Sequence, residues 1–541
     1  MITGKSTGLD RAGFAGLAVA LFVVAAVSVD ALTGAQAPAR LPGRYLEPIP
    51  LYTTGLGVFT RPISSKNPEA QAYFNQGFQL MYSFAKTEAV RSFRESWKHD
   101  PECAICYWGE AWALGSFLNG RMSADEAPGA YAALERARSK IESATPKERA
   151  FIEALSVRYV EHFTEESRLA QDRAYADAMG KLAEQYPDDL DAATLYADSL
   201  FLLEPRRGAR DISTPAVQRL LRVLERVLAV DIHHPGACHL YVHATEATVS
   251  PEKAEDCAEF LKNSIPGASH INHMPSHTWN EIGRWGDSVR ANIEAWQSDQ
   301  KAKIGEGFAI YPDHNLHMLL YAASMDGQGA IAIQAAKDYA KLNGNTMYQV
   351  LTLVRFGRFD EVSAVTSRPS QDIPGGFWDF AQGYALLRRG DVESARPYLQ
   401  TLLAKAASST DLFRVNPAKN LLGTLGGILE GEMLRQAGDL PGAIARFERA
   451  VALEDGLPYD EPEPLPFAAR HWLGAALLES KRFTDAEHVY RDELVDHPHN
   501  GWSLRGLVDA LAGQGIRSAD VDSDLAASWA RSEVWIRSSR F

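Results

Sequence analysis

Cysteine is scarce, with 4 in 541 residues. Cys103 and Cys106 form a lone CxxC. Tyr107 follows it, so this is not the CxxCH of covalent haem attachment, and no second CxxC completes a zinc ribbon. The pairs Cys103 with Cys106 and Cys238 with Cys257 suit either disulfides or small buried thiols. Basic charge is also short. Against 69 Asp and Glu stand 55 Lys and Arg, a net charge of -14, and there is no long basic run. Phosphate binding wants the opposite sign, so nucleic acid is excluded as the main partner. After residue 29 no apolar run is long enough to span a membrane. There is no GxSxG, no GxxxxGK[ST] and no GxGxxG between a strand and a helix. These absences exclude a nucleophile elbow, a P-loop and a dinucleotide fingerprint. Alternating strand patterns are scarce too. The acidic groups Asp188-Asp189 and Asp460, Glu461 and Glu463 fall in turn segments and read as solvated loop charge.

What is present starts with an export pattern. Lys5 and Arg11 precede residues 12–29, which are apolar except for Ser28, and AQA follows at 35–37. Residues 1–37 read as a signal peptide or an uncleaved membrane anchor, which places the remainder in the periplasm or outside the cell. Residues 38–65 read as an extended linker. From residue 66 apolar positions recur at three and four, the mark of helices. The helices come in pairs divided by short turns such as RWGDS (284–288), RRGDVE (388–393) and QAGDLP (436–441).

A repeat runs through these pairs. GEMLRQAGDLPGAIARFERAVALED from Gly431 carries a small residue, a Gly-Asp turn, then Ala443, Phe447 and Ala450. The segment from Leu473 repeats it with Ala486, Tyr490 and Pro498, and the segment from Phe74 with Ala89, Phe93 and Pro101. In this the chain resembles the tetratricopeptide family over most of residues 66–531. The resemblance implies an all-α, right-handed superhelical solenoid of antiparallel helix pairs. It also implies that the first helix of each pair lines a concave surface that holds a protein or peptide partner. Three blocks follow: N-terminal repeats at 66–230, histidine-rich repeats at 231–342 and C-terminal repeats at 343–541.

Nine of the 15 histidines lie between 233 and 317, where an even spread would place roughly two. His239 and His273 are 34 residues apart, as are His243 and His277, and 34 is the tetratricopeptide period. Within each pair the spacing is four, so both rings lie on one helical face. His270 extends the second stripe, and His314, His317 and Tyr321 form a third. Glu246 lies one turn past His243. His233 and His234 flank Pro235 and read as helix-start residues.

Imidazoles repeated at the array period point to a metal. A thiolate-poor, histidine-rich set suits copper, zinc or iron, as one or two ions, better than magnesium or calcium. His239, His243, His273, His277 and His317 are the candidate ligands, with His270 and His314 beside them. Glu246 is the catalytic candidate, as ligand or general base. An open position on the ion could activate water or dioxygen, which leaves a metal-dependent oxidoreductase and a metal-assisted hydrolase both open. Tyr241, Trp279, Tyr311 and Tyr321 are candidates to shape a pocket for a small-molecule substrate. The other reading is a non-enzymatic scaffold with a protein or peptide in its groove. The histidine segment also resembles a bacterial exported tetratricopeptide subset with HHPGAxHxYxHxxE, HMPSH and HNLH, here HHPGACHLYVHATE, HMPSH and HNLH. That resemblance implies a fold, not a reaction.

Overall fold

The computed structural model describes residues 41–204 and 210–541. The export pattern at 12–29 and the AQA site lie outside them. The described chain is an all-α helical repeat array. Its one strand pair among the described residues is a two-residue ladder, Leu412–Phe413 with Asn416–Pro417. Sequential helices pack in pairs, such as Pro68–Tyr82 with Lys86–His99 and Ala418–Gln436 with Leu440–Glu454. The first helix of one pair also packs on the first helix of the next: Asp372–Arg388 touches Ala418–Gln436, and Arg470–Glu479 touches Gly501–Gly513. One hairpin cannot bury its apolar face alone, and stacking of this kind continues the core from pair to pair.

The small residues of the repeat explain the close approach. Gly77 faces Phe93, Gly431 faces Phe447 and Gly474 faces Tyr490, the same interval each time. A β-carbon at any of these glycines would fall inside van der Waals contact with the ring, at 2.9 Å for Gly77. All three rings are fully buried. Gly431→Ala is therefore expected to destabilise the protein by about 1–3 kcal/mol through overpacking. Urea unfolding beside the parent protein measures it, and equal midpoints would contradict the packing account.

Helix starts follow local chemistry. Thr145 and Glu148 form a reciprocal capping box ahead of Pro146–Ser156, and Asn67, Thr214 and Asp439 each cap the helix that follows with a side-chain oxygen. Asp189 caps Leu190–Phe201 and pairs with Arg61 at 3.0 Å, so it is not the solvated loop charge expected of it.

Segment 41–65 has no regular structure beyond a short turn at Gly43–Tyr45. It lies along Pro68–Tyr82, where the Gln76 amide bonds the backbone of Tyr52 and Pro50, and the Gln79 amide that of Gly57 and Phe59. Gly267 N–H donates to Gly55 O at 2.8 Å, which ties this segment to the loop ahead of His270. Both cysteine pairs are disulfides, Cys103–Cys106 and Cys238–Cys257. The second joins helix Pro235–Thr245 to Glu255–Leu261.

Candidate metal centre

Helix Pro235–Thr245 is buried along its whole length. His234 caps it, accepting from Ala237 N–H at 3.1 Å, and Pro235 supplies a first-turn residue with no N–H to satisfy. His239 and His243 follow one turn apart, with ring centroids separated by 5.1 Å. The next stripe departs from the continuous helix its spacing predicts. Pro275 lacks an N–H and breaks the ladder, so His270 and His273 sit on Ser269–His273 while His277 sits on Pro275–Glu281. The break does not separate the rings: His273 Nε2 and His277 Nε2 are 2.9 Å apart. His314 and His317 lie in the opening turns of Pro312–Met325.

Six of these imidazoles sort into two triads with no shared member. His239, His243 and His270 form one, and His273, His277 and His314 the other. In each, three nitrogens lie within 4.8 Å of one another. The triads adjoin, with centroids 5.1 Å apart from His243 to His277 and from His270 to His273. The first triad and His273 and His277 are 0–2 % exposed, and His314 is half-buried. His317 joins neither triad. Its ring stacks on Tyr348 with centroids 4.1 Å apart.

Carboxylates hold the backs of the rings. Glu246 Oε1 is 2.9 Å from His243 Nδ1, and Glu246 Oε2 contacts His277 Nδ1. Glu461 Oε2 is also 3.0 Å from His277 Nδ1. His239 Nδ1 donates to the Tyr82 carbonyl at 2.6 Å, since a carbonyl only accepts. That leaves His239 Nε2 a lone pair, 3.2 Å from His270 Nε2. Two facing lone pairs repel, so a proton or a cation belongs between the nitrogens of each such pair.

Burial and neighbouring charge set the protonation. Burial disfavours a charged His277, but Glu246 and Glu461 override it and push its pKa up to about 9. Burial and the imidazole of His239 hold His270 well below the usual histidine range. Burial and His277 do the same for His273, and burial with His273 and His277 for His314.

Glu461 was not legible as a site residue. The connector YDEPEPLP folds inward, and Asp460 and Glu461 are each 3 % exposed where solvated loop charge was expected. Arg414 anchors the turn. It donates to the carbonyls of Glu461 at 2.7 Å and Pro462 at 2.6 Å and pairs with Asp460 at 2.7 Å. Phe84 was also missed. Its ring lies against His239, His243 and His270, with centroids at 4.2, 6.0 and 5.4 Å. No spacing in the sequence ties residues 84, 414 and 461 to the histidines.

A cavity of about 420 Å³ opens beside the triads. His243, His270, His314, His317 and Glu461 reach it from the centre, and Tyr311, Tyr339, Phe413 and Arg414 form other walls. Of the four expected pocket aromatics, only Tyr311 lines it. Tyr321 lines a smaller cavity of about 40 Å³ with Glu281, Glu461, Glu463 and His497. Tyr241 turns away and donates to Glu225 at 3.0 Å. Trp279 packs with Ala258 and Ala291 under the Arg284 guanidinium.

No family model matches the chain, and no curated protein does. Among solved structures it is similar to the Cut9–Hcn1 hetero-tetramer of APC/C at 15% identity, over 88% of this chain and 79% of that one, with a TM-score of 0.31. It is similar to a human IFIT1 dimer with m7Gppp-AAAA at 10% identity, over 79% and 89%, with a TM-score of 0.31. It is similar to the P58(IPK) TPR domain at 10% identity, over 82% and 98%, with a TM-score of 0.20.

Proposed function

We propose that the protein is a metalloenzyme holding two transition-metal ions, one in each histidine triad, and acting on a small molecule. One observation carries the reading: six buried or half-buried imidazoles divide into two adjoining three-nitrogen sets whose backs are held by carboxylates and a carbonyl. The donors fit such ions. Two nitrogens about 2.1 Å from one ion, at angles between a right angle and tetrahedral, lie about 3.0–3.4 Å apart. The facing pairs here are 3.2 and 2.9 Å apart. Imidazoles without thiolate suit copper, zinc or iron. Glu246 is best read as a positioning residue, because it holds His243 and His277 by Nδ1 and turns Nε2 toward the neighbouring rings. When bound, the ions would supply Lewis-acid or redox chemistry. Two disulfides and the apolar run at 12–29 favour residence in an oxidising compartment outside the cytoplasm.

Elemental analysis of protein made without a polyhistidine tag is expected to give about two ions per chain. A His239→Ala, His243→Ala double variant should keep about one of them, and so should His273→Ala, His314→Ala. The element found decides between redox chemistry and hydrolysis. Folded protein that takes up no copper, zinc or iron would remove the reading and favour the scaffold alternative, with a protein or peptide partner.

A further inference from the structure

The cavity beside the triads has the makings of a ligand chamber. It touches both triads, through His243 and His270 of one and His314 of the other. Its volume of about 420 Å³ exceeds what a single aromatic ring occupies and leaves room for a substituent. Three of its walls are the rings of Tyr311, Tyr339 and Phe413, which offer faces and edges to another ring.

The backbone around it is strained. Among the described residues five non-glycine residues have left-handed φ, and three border this centre: Phe84 at 60°, Tyr311 at 55° and Arg414 at 57°. Side chains bulky at the β-carbon avoid this region, and such outliers gather where a side chain must be held against its preference. Tyr311 and Arg414 both line the chamber.

Polar chemistry sets the other requirement. The Arg414 guanidinium lines the chamber, 4.9 Å over the Phe413 ring. Asp460 pairs with this guanidinium at 2.7 Å, and Asp313 and Glu461 also reach the chamber, which confines the favourable field to the guanidinium's own edge and disfavours a ligand with more than one negative charge.

We propose that this chamber binds a small aromatic monoacid, with its ring among Tyr311, Tyr339 and Phe413 and its carboxylate toward Arg414. This names the substrate class of the centre and rests on the two-ion reading for its chemistry, though not for its walls.

Calorimetric titration with benzoate, set against cyclohexanecarboxylate, tests it. Metal-loaded protein is expected to bind benzoate at least about tenfold more tightly than the saturated acid. Tyr311→Gly keeps the left-handed backbone and removes the ring, and should weaken benzoate about tenfold while two ions stay bound. Phe413→Leu is a second variant that leaves Arg414 in place and should weaken it in the same direction. Equal affinity for the two acids, or two ions bound with no benzoate binding at millimolar concentration, would overturn the chamber and leave the centre. Benzoate binding by folded protein that takes up no metal would overturn the two-ion reading and leave the chamber.

Discussion

Replacing Glu246 with leucine is expected to lower the free energy of unfolding of the metal-stripped protein by about 3–5 kcal/mol and to cut metal affinity by about 10–100-fold. The reason is its double attachment. Each oxygen of one carboxylate, 1 % exposed, meets the Nδ1 of a different histidine, and those histidines belong to different triads. Leucine leaves two buried Nδ1–H groups at the backs of the rings without this acceptor. His277 keeps Glu461, so the larger loss falls on His243. Glu246→Gln keeps the shape and one acceptor oxygen and should fall between leucine and the parent protein. Denaturant unfolding and competitive metal titration measure the two effects. A leucine variant equal to the parent in both would show that Glu246 does not position the rings.

After chelation the protein is expected to be most stable near neutral pH and to lose stability on both sides. The alkaline limb comes from His277. Its pKa rises to about 9 on folding, above the ordinary histidine value, because Glu246 and Glu461 outweigh burial. A folded-state pKa above the unfolded one means stability that is full below about pH 6.5 and is lost as the pH climbs through about 9. A rise of that size corresponds to about 3 kcal/mol. Glu281 shifts in the same direction over a lower window: burial and the charges of Glu463 and Glu246 push it up to about 8, so its contribution is full below about pH 4.5 and is lost as the pH climbs through about 8. The acid limb comes from His270, His273 and His314, all held well below the ordinary value by burial and by neighbouring imidazoles. Their contribution is present above about pH 6.5 and is lost as the pH falls below it. With ions bound, the alkaline loss from His277 should fade, because an imidazole bound through Nε2 is already without its second proton, and the acid loss should steepen. Thermal melts between about pH 5 and pH 10, with and without chelator, check the pair of curves. A stripped protein whose stability is flat across that range would contradict the assignment.

The fold was legible because its signal is local and repeated. Gly431, Phe447 and Ala450 recur as a unit, and each glycine-to-ring contact is a consequence of helix period and hairpin length. The histidine grouping was legible for the same reason, since spacings of 4 and 34 place rings on one face of successive hairpins. Periodicity could not foretell how the array closes. The acidic connector at 459–466 has the composition of a solvated loop, yet four prolines between 458 and 466 stiffen it and Arg414 draws it inward. The same limit applied to the aromatics. Tyr241 shares a helix with His239 and His243 but stands on the opposite side, two residues from each, and packs outward on Glu225. Tyr339 and Phe413 reach the chamber from elements with no histidine spacing to mark them.

Glu461 stands roughly 200 residues after Glu246 along the chain, and both meet the same imidazole nitrogen of His277. During synthesis at about 5–20 residues per second, the histidine hairpins therefore emerge well before the carboxylate that completes their surroundings. For that interval the basin lacks its last wall. With ions in the triads as proposed, their loading would be completed only when the C-terminal hairpins dock, and a chain interrupted before residue 457 would lack the Glu461 contact to His277.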